Sequence, residues 1–130
     1  MRVLALDYGS ARTGVAVSDP TGTLARPIGV VERAGSPAGL DRLVALVADH
    51  EVERVVVGLP LTLRGEVGAQ ALETEEFVAV LRARLEVPVE TYDERYTTAL
   101  AQQGESSTPE DALAAAHLLQ SWLDQQAARS

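Results

Sequence analysis

Residues 4–17, Leu4-Ala-Leu-Asp7-Tyr-Gly9-Ser-Ala-Arg12-Thr-Gly14-Val-Ala-Val17, carry an acid from the end of one apolar run into a glycine-bracketed turn and back into a second apolar run. Val3 to Leu6 has the continuous apolar character of a buried strand, and Val15 to Val17 can form its returning partner. Asp7 is therefore expected where a sheet meets solvent. There a carboxylate can face a metal or a phosphate while the strands hold its backbone rigid. Gly9 and Gly14 suit positive φ or a close backbone approach. The plainer alternative is that Asp7 and Ser10 are ordinary turn residues that bond their own backbone.

Working outward, Ser18 to Gly22 is a turn cluster, and Leu24 to Arg33 resumes an extended pattern as a third strand. Pro27 cannot donate to a ladder, which puts that strand at an edge or bulges it near Pro27. Ser36-Pro37 reads as a cap and first helical residue. Leu40, Leu43, Val44 and Val47 then repeat at helical spacing, predicting a helix over residues 36–49. Arg54-Val-Val-Val-Gly58-Leu-Pro60 reads as a central parallel strand buried on both faces. A long helix follows, with Ala71, Val78, Leu81 and Leu85 on one stripe. Val87 to Tyr92 is a fifth strand that ends in Asp93-Glu94-Arg95. A short helix is expected over residues 96–103, then a polar loop over 104–109. The last helix is expected to start near Thr108-Pro109 and to fray over residues 125–130. The order βββαβαβα implies an α/β fold with a mixed five-stranded sheet flanked by helices.

The chain of 130 residues fits one domain, residues 1–130. Only 4% of residues are aromatic, so the core must come from Leu, Val and Ala, and little aromatic surface remains for stacking bases. There is no cysteine, which removes disulfides, thiolate chemistry and cysteine-bound zinc. No secretory leader or membrane-spanning run stands out, and a cytoplasmic location is expected, without a membrane partner. A net charge of -8 argues against a broad basic face for nucleic acid. All eleven basic residues are arginines, so any phosphate contacts would be local and planar.

Acids stand at three element ends: Asp7, the pair Asp93-Glu94, and Asp111 in the first turn of the last helix. Hard divalent cations take oxygen ligands, and three acids can hold one or two such ions. Each acid also has a structural alternative. Asp111 can favour a helix start, and Asp93 and Glu94 can pair with neighbouring arginines. His50 and His117 have no ligand spacing, and His117 reads as a packed or surface residue.

The segments LALDYGSARTGVAV, ARPIGVV, RVVVGLPLTLRGEVG, YDERYTTALA and DALAAAHLLQSWL, in this order, resemble the YqgF/RuvX family of RNase H-like proteins over essentially the whole length. Its members are described as pre-16S rRNA processing nucleases and as Holliday junction resolvase homologues. The resemblance implies an RNase H-like fold and a metal-dependent nuclease. Its implied metal-binding acids are Asp7, Glu94, with Asp93 beside it, and Asp111. Of these, Asp7, Glu94 and Asp111 are catalytic, and Arg12, Arg64 and Arg95 are the implied phosphate contacts. The implied cofactor is Mg²⁺ or Mn²⁺, as two ions, and the implied task is processing the 5' end of pre-16S rRNA during ribosome biogenesis.

Where the family usually carries a longer helix and a basic loop, residues 102–110 are short and acidic. Nucleic acid, RNA favoured over DNA, is therefore expected to bind weakly. The protein is expected as a monomer or homodimer. Two alternatives remain: a Holliday junction resolvase-like DNA endonuclease, and a non-catalytic module that kept the fold. An ATPase of the actin or sugar-kinase type is disfavoured by length, because that fold closes two lobes over the nucleotide.

Overall fold

The computed structural model describes residues 1–97 and 110–129. Its elements run β1 (Val3–Asp7), β2 (Arg12–Ser18), β3 (Ala25–Glu32), α1 (Pro37–Asp49), β4 (Arg54–Leu59), α2 (Ala69–Arg84), β5 (Val89–Asp93), a single 3₁₀ turn (Glu94–Tyr96) and α3 (Glu110–Arg129). The sheet order is β3-β2-β1-β4-β5. β2 is antiparallel to both β1 and β3, while β4 is parallel to both β1 and β5. The mixed five-stranded sheet and its element order are those expected from the sequence.

The strands alternate their side chains between two cores. Leu4, Leu6, Val15, Val17, Val55 and Val57 pack with Leu40, Leu43, Phe77, Val78 and Leu81 of α1 and α2. Val3, Ala5, Ala16 and Val56 face the other way, against Ala115, Ala116, Leu119, Trp122 and Leu123 of α3. Both faces are thus covered, which is why β1 and β4 read as unbroken apolar runs. Edge strand β3 carries Pro27, and the β2–β3 register shifts between Val15 and Ala16, whose partners are Gly29 and Pro27. That irregularity sits where proline withholds a ladder donor. Ser36 caps α1 by accepting from Gly39 N at 3.1 Å, with Pro37 in the first turn.

One expectation is corrected: α3 does not fray at Gln125 but stays helical to Arg129. Asp124 to Arg129 contains no helix breaker, the buried Trp122 and Leu123 anchor the preceding turn, and Arg129 complements the helix C-terminus. The expected helix over 96–103 is represented among the described residues only by the 3₁₀ turn and Thr97, its C-cap. The remainder of that segment, the loop over 104–109 and the Thr108-Pro109 helix start lie outside the described residues. No helix among the described residues is long and apolar enough to cross a membrane.

Candidate active site

Parallel pairing puts the C-terminal ends of β1, β4 and β5 at one edge of the sheet, where α/β proteins commonly bind ligands. Asp7 ends β1, Asp93 ends β5 opposite Leu59, and Glu94 opens the 3₁₀ turn that follows. Asp111 arrives from the other side, in the first turn of α3.

Two strand glycines make this convergence possible. Gly14 pairs with Asp7 in the β1–β2 ladder, and a Cβ there would lie 1.7 Å from the backbone oxygen of Asp111. Only a residue without a side chain lets the start of α3 rest on β2. Gly58 of β4 does the same for Glu94, since a Cβ there would stand 2.6 Å from Glu94 Oε1. Glycine inside a strand gives up packing and chain entropy, so its presence marks a close approach. Sequence reasoning used Gly58 only as strand punctuation and did not foresee this role.

The turn after Asp7 is fastened on both sides. Tyr8 stacks on Phe77 of α2 with ring centroids 4.3 Å apart. The buried Thr13 hydroxyl donates to Gly9 O at 3.3 Å and accepts from Gly9 N at 3.4 Å. Tyr8 and Thr13 also escaped the sequence reading. The visible signal was a tyrosine next to the acid and a threonine between the two glycines.

The acids differ sharply in their electrostatics. Glu94 is pushed up to about 7, first by burial, then by its hydrogen bond with Asp7 and by the charges of Asp7 and Asp93. Asp7 is also raised, by burial and then by the Asp111 charge, while the bond from Glu94 acts in the opposite sense. Below about pH 7 the protonated form of Glu94 is favoured, and its carboxyl can then donate to Asp7. Asp93 is held below the usual carboxylate range by Arg95, whose Nε and Nη2 donate to its two oxygens at 2.6–3.1 Å.

Of the expected site residues, the structure thus brings Asp7 and Glu94 into direct contact, with Asp111 near enough to act on Asp7 through its charge. Arg12 Nε lies 3.3 Å from Asp111 Oδ2, at the rim, and its side chain is 67% exposed. Asp93 faces Arg95 instead of the pair. Arg64 is exposed on the turn between β4 and α2. Among the described residues, no three or more His, Cys, Asp or Glu side chains together stand at ion-binding spacing. The Asp7–Glu94 pair is the part that fits a metal. Two half-buried carboxyls in contact, with the charge of Asp111 acting on Asp7, are a hard-oxygen donor set of the kind a divalent cation takes.

A family model described as "RuvX: Holliday junction resolvase" matches residues 1–125. The chain belongs to the RuvX family. A relative from Roseiflexus sp. (strain RS-1), named "Putative pre-16S rRNA nuclease", is 40% identical over 96% of this chain and 95% of its own. One of the same name from Desulforudis audaxviator (strain MP104C) is 46% identical over 76% of this chain and 70% of its own. Family membership makes the RuvX chain a nuclease, a hydrolase by class.

The fold is shared more widely. T. thermophilus RuvC in complex with a Holliday junction substrate superposes with a TM-score of 0.65 at 18% identity, covering 98% of this chain and 96% of that one. The fowlpox virus resolvase, in complex with Holliday junction DNA, reaches 0.59 at 9% identity, covering 97% and 99%. These likenesses establish the RNase H-like fold.

Proposed function

We propose that this RuvX-family chain, working as a single domain in the cytoplasm, is a metal-dependent endonuclease. It processes the 5' end of pre-16S rRNA, using Mg²⁺ or Mn²⁺ held by Asp7, Glu94 and Asp111. The feature that supports this best is the contact between the Asp7 and Glu94 carboxyls where β1 and β5 end, with both pushed up first by burial.

When bound, divalent ions supply an activated water and charge neutralisation at the scissile phosphate. The chain's own residues do the rest. Asp7 is oriented by the β1 ladder and by the stacked Tyr8, and Glu94 occupies the space left by Gly58. Glu94 must release its proton before it can act as a ligand. Asp111 holds the exposed Arg12 guanidinium at the rim, where it can meet a backbone phosphate. Arg64 offers a second such contact. These contacts position the strand without reading bases, so selectivity rests on substrate shape.

The family description favours a second substrate, a four-way DNA junction, which requires two sites related by symmetry and hence a homodimer. A single experiment tests both. RNA carrying the 5' precursor region of 16S rRNA and a four-way DNA junction are incubated with Mn²⁺ or Mg²⁺, and with a chelator. Cleavage of the RNA that disappears on chelation is expected. Asp7→Asn and Asp111→Asn should lower it by about 100-fold or more. Undiminished cleavage under chelation overturns the mechanism, and an active Asp111→Asn enzyme removes that residue from the site.

A further inference from the structure

Arg95 follows Glu94, and its guanidinium is engaged on two sides while 36% of the side chain stays exposed. Nε and Nη2 form a fork onto the Asp93 carboxylate, while Nη1 donates to the backbone oxygen of Leu63 at 3.3 Å. Asp93 Oδ1 also accepts from Arg95 N at 2.9 Å, which fixes the backbone from which the guanidinium projects. The segment it reaches is the turn after β4. There Gly65 N donates to Thr62 O at 2.8 Å, Thr62 N to Glu66 O at 3.0 Å, and Glu66 N to Thr62 Oγ1 at 3.0 Å.

Gly65 has φ +82°, and a Cβ on it would lie 3.1 Å from Arg95 Nη1. The turn and the guanidinium are therefore fitted to each other. On its outer side the turn presents Leu63, 95% exposed, beside the exposed Arg64. An apolar side chain next to a guanidinium suits a nucleic-acid strand, which offers base faces and phosphates in alternation.

We propose that Asp93 and Arg95 form a strut that fixes the 61–66 turn beside the carboxylate pair, so that Leu63 and Arg64 meet the substrate strand in one orientation. Arg95 is then a positioning residue that does not touch phosphate, and Asp93 is its anchor and not a metal ligand. The inference rests on the nuclease reading above.

The test measures binding of a fluorescein-labelled single-stranded RNA and a labelled four-way DNA by anisotropy in chelator, together with cleavage kinetics in Mn²⁺. The proteins are wild type, Asp93→Asn, Arg95→Gln, Arg95→Lys and the Asp93→Asn/Arg95→Gln double variant, with far-UV spectra and melting curves to verify folding. Both Asp93→Asn and Arg95→Gln should weaken binding and raise KM by roughly tenfold, with kcat nearly unchanged, and the double variant should be no worse than either single one. Arg95→Lys should not rescue, because one ammonium cannot replace a fork plus a third donor.

A phosphate-contacting Arg95 predicts the opposite signs: Asp93→Asn would tighten binding and Arg95→Lys would stay close to wild type. A metal-binding Asp93 predicts a fall in kcat with unaltered affinity in chelator. Either pattern overturns the strut. Wild-type protein that binds neither probe and cleaves neither in Mn²⁺ overturns the nuclease reading and the strut together, whereas wild-type binding or cleavage that none of the variants alters overturns the strut alone.

Discussion

At the end of β2, the Asp19 carboxylate accepts hydrogen bonds from the Thr21 hydroxyl at 2.6 Å and from the backbone N–H groups of Thr23 and Leu24 at 2.8 and 3.0 Å. Its pKa falls to about 2, chiefly through the Thr21 bond and then the backbone bonds. At the opposite end of the sheet, where β1 and β5 terminate, Asp7 and Glu94 have no such cradle among the described residues; burial raises both, with the Asp111 charge adding to Asp7 and the contact with Asp7 adding to Glu94. Both ends are loops leaving strands of one sheet, and both contain acids. Asp19 is satisfied as an anion by its own turn, which needs nothing more. The Asp7–Glu94 pair is satisfied only by a proton or a cation, and the fold must be shaped around it to keep it in place.

That shaping can be broken at the glycines. Gly14→Ala should have the largest effect of any single change, because the new methyl meets backbone and not a movable side chain. Either α3 lifts from β2 or the ladder opposite Asp7 distorts, at a cost of about 2–4 kcal/mol, with cleavage lost as Asp111 moves away. Gly58→Ala differs in kind, since its methyl meets the Glu94 side chain, which can swing aside. Thermal melts of the two variants beside a cleavage assay should show activity lost in both but a large fall in stability only in Gly14→Ala. Equal and small stability losses would mean that α3 can accommodate the methyl.

The strands, the mixed sheet and the acids at element ends were legible in the sequence because each is local: a β-branched run ended by Gly58 and Pro60, a proline that betrays the β3 edge, an apolar run that stops at Asp7. The pairings across the site were not. Nothing local says that Asp93 turns to Arg95 while its neighbour Glu94 turns to Asp7; that choice follows from the clearance at Gly58, on a strand some 35 residues earlier. Asp111 could equally be a helix-start acid, and only its approach to Gly14 and Arg12 brings it to the rim. The stack of Tyr8 on Phe77 is another long-range pairing, invisible because α2 carries few aromatic residues to suggest one.

The contrast between the two ends also predicts opposite responses to pH in the metal-free protein. Glu94 keeps its proton up to about 7 in the folded chain but loses it near 4.5 when unfolded. Between those values the folded state binds more protons, so this contribution to stability is full at low pH and is lost as pH rises to about 7. The raised Asp7 acts in the same direction. Glu94→Gln should remove much of that slope and leave the metal-free protein relatively more stable than wild type above pH 7. Added Mn²⁺ should stabilise the wild type increasingly as pH rises, because binding displaces the proton. Urea titrations at several pH values check this, and a pH-independent difference between wild type and Glu94→Gln would show that the two carboxyls do not share a proton.

Asp19 supplies the smallest and most discriminating effect. Its folded pKa lies below the usual 3.8, so its contribution is present above that value and fades as pH falls toward 2, the reverse of Glu94. The turn is open to water, and the amide donors of Thr23 and Leu24 can be solvated once the carboxylate is gone, so Asp19→Ala should lower the melting temperature only slightly. Cleavage should be unchanged, because the turn lies across the full length of β1 from Asp7. The gap in melting temperature between wild type and Asp19→Ala should be open at pH 7 and closed near pH 2. A variant that loses activity instead would show that the two ends of the sheet are coupled, and that the Asp19 turn does more than close its own loop.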